Sequence, residues 1–298
     1  METKPLIEWP HVSTEFIMFI GTFLALGAVG FYLGVMRRLT SIVTAGPAGE
    51  RAVHIGSTRR AAFIGLLGIL IGVVMFAVGL PASAARHQQS VMQLITTDSR
   101  TILNLAFYGL ALIGFLIALA PAGRGWMPAA IGVIGGRLSG LLLGQWGSLV
   151  ISLHVLAAGI WIGSLLVLVI AGIGVVFRVE RSTERRGAIV ADMVHRFSPM
   201  ALLSGGAVVL FGVITALQHL NPFSSLWSTP YGYALLAKLA AVAFVFGLGG
   251  WNWLRLRPQL GTEAGAATIR RSAARELIAA TVVLALTAIL VSLPSPRG

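Results

Sequence analysis

Cysteine is absent from the 298 residues, which excludes disulfides, thiolate metal centres and thiol redox chemistry. Charge is nearly as scarce. Only 11% of residues are charged, 10 of them acidic, and lysine occurs at just two positions, Lys4 and Lys238. Long polar stretches are missing too: no segment between the apolar runs exceeds about 25 residues, which leaves no room for an ATPase or kinase domain. The N-terminus lacks a secretory signal, because its first apolar run is too long for a cleaved h-region.

What remains is apolar. Hydrophobic residues make up 56% of the chain and mean hydropathy is +0.87, a balance that a water-exposed surface does not accommodate. Apolar runs of the roughly 20 residues needed to cross a bilayer recur throughout. They predict an all-α, polytopic transmembrane bundle of about eight spans: 16–36, 61–80, 101–120, 126–143, 147–177, 200–219, 231–251 and 273–293. The fourth carries Gly135, Gly136 and Arg137 near its middle, and the fifth is long enough to tilt.

The formal charge of +12 would suggest nucleic acid in a soluble protein. Its distribution argues for lipid and against nucleic acid instead. Sixteen of the 22 basic residues fall in alternate loops, among them Arg37, Arg51, Arg59, Arg124, Arg178, Arg196, Arg255 and Arg270; the opposite segments hold only Lys4, Arg86, Arg100 and Arg297. The positive-inside rule then predicts both termini outside. It also argues that the fourth run crosses, since otherwise the first arginine-rich loop would lie outside.

Ionisable and metal-ligating side chains inside lipid are costly, so each is a functional candidate. His154 lies about two turns into the fifth span, with Trp161 at i+7 on the same helix face. Lys238 lies two turns beyond Tyr231 in the seventh, and His219 closes the outer end of the sixth. At about 1.5 Å per residue these reach comparable depths in the outer part of the membrane. Each has a plainer reading: a hydrogen bond to a neighbouring helix for His154, solvation at the interface for His219, snorkelling for Lys238. Arg137 is expected to face the bundle interior, and Glu276 to form an ion pair near the inner arginines. The outer face also gathers soft or borderline metal ligands, namely His11, His87 and Met92, with Met18 and Met75 near the outer ends of the first two spans. Imidazole and thioether suit copper, especially the cuprous ion, where thiolate is lacking.

Four stretches of the second half resemble the bacterial copper resistance D (CopD) family: His154 to Gly163, Arg196 to Ala201, Thr229 to Gly232 running on to Lys238, and Asn252 to Pro258. Arg270, Arg271, Glu276 and Pro294 resemble family features as well. Residues 1–125 match only in hydropathy and span count, so the chain divides into a three-helix N-terminal region and a five-helix CopD-like region over 126–298. The resemblance implies a non-enzymatic, multi-pass protein of the bacterial inner membrane that handles copper, accepting it on the periplasmic side and passing it inward. Metal ligands are then expected among His154, His219, His11, His87, Met18 and Met92, with Lys238, Trp161, Tyr231 and Arg137 gating or lining the path. Some members carry a fused periplasmic copper-binding domain of the CopC type. This sequence has none, and a separate periplasmic copper carrier is an arrangement the resemblance allows. Two other readings stay open. One is an electron-transfer subunit binding haem b between His154 and His219. The other is a non-catalytic subunit of a larger membrane complex.

Overall fold

The computed structural model describes residues 7–37, 48–120, 124–220, 222–256 and 261–296. Among these residues there is no strand. Seven helices are long and apolar enough to cross a membrane: α1 Trp9–Met36, α2 Gly49–Arg86, α3 Ser99–Ala118, α5 Trp146–Val179, α6 Thr183–His219, α7 Pro230–Arg255 and α8 Ala264–Ser292. A shorter apolar helix, α4 Trp126–Leu142, has 17 residues, which at about 1.5 Å each cover about 25 Å. It runs antiparallel to α3. A Cβ on Gly114 would strike Ala129, one on Gly132 would strike Ala111, and one on Gly135 would strike the Phe107 ring, while Ser139 donates to Asn104 at 2.9 Å.

Several helices outrun their apolar windows. Helix α2 starts 12 residues before the predicted span and α6 starts 17 before it. Hydropathy marks where lipid begins, whereas the backbone ladder continues until a cap ends it. In α6 that cap is Ser182, whose Oγ accepts from the Arg185 N–H. Pro199 lies inside this helix, at the step between its arginine-rich turns and its apolar part.

Helices α1 and α5 form the interior. Half or more of the apolar window of each is buried, 50% and 56%, against 11–28% for the other long helices, which face outward. The two run side by side in the same direction and meet at glycine. A Cβ on Gly27 would lie 2.2 Å from the Gly163 carbonyl carbon, and one on Gly163 would lie 2.1 Å from the Phe23 carbonyl oxygen. Ser164 Oγ donates to the Gly27 carbonyl beside this crossing at 3.3 Å. Small residues let backbones approach where lipid tails supply no hydrophobic drive for helix association. Two π-helical segments, Gly159–Gly163 and Leu168–Ile173, widen α5 at and below the crossing. Helix α1 also packs on α2, α4 and α8, so the first helix of the 1–125 region is packed against helices of 126–298 as well as its own neighbours.

Candidate functional site

A cavity of about 910 Å³ opens inside the bundle. On its second-half wall, beside other residues of α5 to α8, one spacing recurs. Helix α6 presents Val208, Gly212, Thr215 and His219; α7 presents Tyr231, Leu235, Lys238, Val242 and Val245; α5 presents Ile151, His154, Ala158 and Trp161. Steps of three and four residues keep each set on a single helix face.

The polar groups of this wall occupy successive depths. At the end where α6 finishes and α7 begins, the His219 and Tyr231 rings lie nearly parallel with centroids 6.4 Å apart. His219 Nδ1–H donates to the Thr215 carbonyl at 2.8 Å. Next come His154 and Lys238, each eight residues from the N-terminal start of its helix, roughly 12 Å along it at about 1.5 Å per residue. His154 Nδ1–H donates across to the Val208 carbonyl of α6 at 3.0 Å. The ring sits against Gly212, where a Cβ would come within 3.0 Å of Cε1. This bond assigns the proton of the neutral ring to Nδ1 and leaves the Nε2 lone pair unengaged. Lys238 lies close enough for its charge to act on His154, and among the described residues its ammonium has no hydrogen-bond or ion-pair partner. Deeper still, Trp161 and Phe246 pack with ring centroids 4.4 Å apart, over Gly205.

The first-half wall carries Glu15, Met18, Thr22, Asn104, Tyr108 and Arg137. Arg137 faces the interior, donating to Thr22 Oγ of α1, with Tyr108 and Glu15 near enough to act on its charge. A guanidinium at this depth requires such partners or water, because exposure to acyl chains costs at least about 2.5 kcal/mol.

The cavity therefore brings together His154, His219, Met18, Lys238, Trp161, Tyr231 and Arg137. It does not include His11, His87 or Met92. Those three are exposed, Met92 at 67%, and Met75 is not on the cavity wall either. Among the described residues no group of three or more His, Cys, Asp or Glu side chains is arranged to hold a metal ion. Two expectations need correction. Among the described residues Glu276 makes no ion pair: its Oε1 accepts from Asn252 Nδ2 of α7, and the described arginines of α8 are exposed. The His154 and His219 pair does not fit one haem iron. His219 lies seven residues along α6 from Gly212, against which the His154 ring packs, an axial offset of roughly 10 Å.

Several partners were not readable from the sequence. Val208 contributes a backbone carbonyl, which carries no residue signature. Gly212 and Gly205 are visible only as glycines sharing a face with His219. Phe246, eight residues beyond Lys238, looks like ordinary apolar filling until Trp161 is placed against it.

Residues 191–290 match the family described as copper resistance protein D. A copper transport protein of Bacillus subtilis (strain 168), CutJ, is 31% identical over 144 residues. That stretch covers 48% of this chain and 25% of the relative, so the chain spans about a quarter of the length of the protein it matches. No solved structure matches. The family match takes in most of α6, all of α7 and nearly all of α8, but it leaves the His154 to Gly163 stretch of α5 outside. Those three helices, which supply the Lys238 and His219 side of the cavity, are what this chain shares with the copper resistance protein D family.

Proposed function

We propose that this chain passes copper inward across the bacterial inner membrane, receiving it on the periplasmic face. The observation that carries the reading is His154: a ring oriented by the Val208 carbonyl, its Nε2 free, on the wall of an intramembrane cavity. The match of residues 191–290 to the copper resistance protein D family and the name of the copper transport relative support the choice of metal. His219 and Tyr231 form the outer end of the path, and the Trp161 and Phe246 pair closes it below.

The exposed His11, His87 and Met92 are candidates for first capture, from solution or from a separate periplasmic carrier. No step needs catalysis of a covalent change. The membrane potential favours cation entry by about 2.3 kcal/mol per charge per 100 mV. Lys238 acts as the gate: a charged ammonium opposes a cation beside His154, and a neutral amine admits it.

The test is copper uptake by cells or proteoliposomes carrying His154→Ala. Uptake is expected to fall to near background while the protein stays folded in the membrane, as judged by its elution from a sizing column. Normal uptake by that variant overturns the reading.

A further inference from the structure

We infer that the first-half side of the cavity binds an oxyanion of the phosphate or carboxylate class, held by the Arg137 guanidinium of α4. The inference goes beyond the copper reading and does not rest on it. Arg137 and the groups around it also lie outside the family-matched residues 191–290.

The charges on the cavity wall are unbalanced. Its described residues include three formally cationic side chains, Arg100, Arg137 and Lys238, against one carboxylate, Glu15. Glu15 does not neutralise Arg137 by contact. It lies seven residues from Thr22 along α1, about two turns, and among the described residues neither Glu15 nor Arg137 forms an ion pair. Arg137 donates to Thr22 Oγ1 and to no other described group, so most donors of its guanidinium are left for the cavity it lines. A charge withdrawn from water without a counter-charge is costly, and a cleft lined by one sign of charge concentrates the opposite one.

Helix α3 supplies a row of further donors. Asn104 meets Ser139 and Phe107 meets Gly135 and Gly136, an antiparallel register that places Arg137 level with the turn between Asn104 and Tyr108. Arg100, Asn104 and Tyr108 follow one another on the cavity wall at steps of four residues, which keeps them on one face of α3. Asn104 Oδ1 already accepts from Ser139 Oγ at 2.9 Å, which leaves its amide N–H groups to donate. The Tyr108 hydroxyl has no partner among the described residues, and Tyr108 lies near enough to Arg137 to act on its charge. Arg100, one turn from Asn104 toward the start of α3, is exposed. The row therefore runs from an exposed guanidinium at the helix end, past an amide, to a phenol near Arg137. A planar guanidinium fork matches the paired oxygens of a carboxylate or phosphate, which a spherical halide does not reproduce.

The experiment measures binding of radiolabelled inorganic phosphate and acetate to the purified full chain in detergent, by equilibrium dialysis in a chloride buffer of constant ionic strength. A parallel arm offers phosphatidylglycerol or phosphatidylcholine and reads the retained lipid by native mass spectrometry. Wild type should bind phosphate or acetate, or retain phosphatidylglycerol over phosphatidylcholine, and the arm that responds identifies the source as solution or lipid. Arg137→Gln should weaken that binding at least about ten-fold, the loss expected of one hydrogen bond to a charged group. Arg137→Lys keeps the charge without the fork and should weaken it as well; if Arg137→Gln fails to fold, this variant carries the test. Arg271→Gln, which changes an exposed arginine of α8 off the cavity wall, should leave binding unchanged. Binding in neither arm overturns the inference, as does binding that survives both Arg137 variants undiminished or that falls equally in Arg271→Gln. Copper is absent from both arms, so the copper reading can fail while this one stands.

Discussion

Replacing Gly163 by alanine should force α1 away from α5. The new methyl would sit 2.1 Å from the Phe23 carbonyl oxygen and 2.9 Å from Gly27 Cα, where ordinary contact begins at 3.4 Å. Both obstacles are backbone and cannot rotate aside, so relief requires moving a whole helix by roughly an ångström. Overpacking of this kind costs about 1–3 kcal/mol. Alanine regains up to about 1 kcal/mol of helix propensity over glycine. With backbone on both sides the upper end of the first range applies, leaving a net loss of about 2 kcal/mol and a Tm lowered by several degrees. The control is Gly206→Ala on α6, where a Cβ meets nothing within 4 Å; it should melt no lower than wild type. Thermal unfolding in detergent, followed by circular dichroism, reads both. If Gly163→Ala melts as high as Gly206→Ala, the closeness of this crossing is not what holds the interior together.

Two further outcomes are expected. Lys238→Met should flatten the pH dependence of copper uptake, which in wild type should rise with pH as the ammonium loses its proton; His154, His219 and Tyr231 share the cavity, so an unchanged profile in Lys238→Met would assign the titration to one of them. The chain has no native cysteine, so single cysteines report topology cleanly. The exposed positions Ala52→Cys and Thr183→Cys should resist an impermeant reagent applied from outside and Ser224→Cys should react; labelling of Ala52→Cys from outside would invert the first half of the bundle.

How far the fold could be read from the sequence depended on which forces act locally. The scarcity of charge, the recurring apolar runs and the alternating arginines reflect the solvent around each segment, and transfer between water and lipid is a property of the residue and its depth. The helix bundle and seven of its eight predicted spans therefore follow without knowledge of contacts, the fourth being the shorter α4, and so does the inward-facing Arg137, since lipid exposure has a cost that no neighbour needs to be named to state. The limits of the same signal show in α2 and α6, whose helices continue 12 and 17 residues past their apolar windows because hydrogen bonding does not stop at the lipid boundary.

The site was half legible. His154, Trp161, Tyr231 and Lys238 stand out as expensive or amphipathic groups at spacings of seven, and a shared face follows from helix geometry alone. That His154 bonds Val208, that Phe246 backs Trp161 and that Glu276 bonds Asn252 rather than an arginine were decided only by how separate helices rotate against one another. The α1 and α5 crossing makes the point most clearly, since Gly27 lies on Gly163, a contact between residues 136 apart. Side-chain cost is written along the chain, but helix register is set by backbone approach across it, and only the tertiary structure contains that.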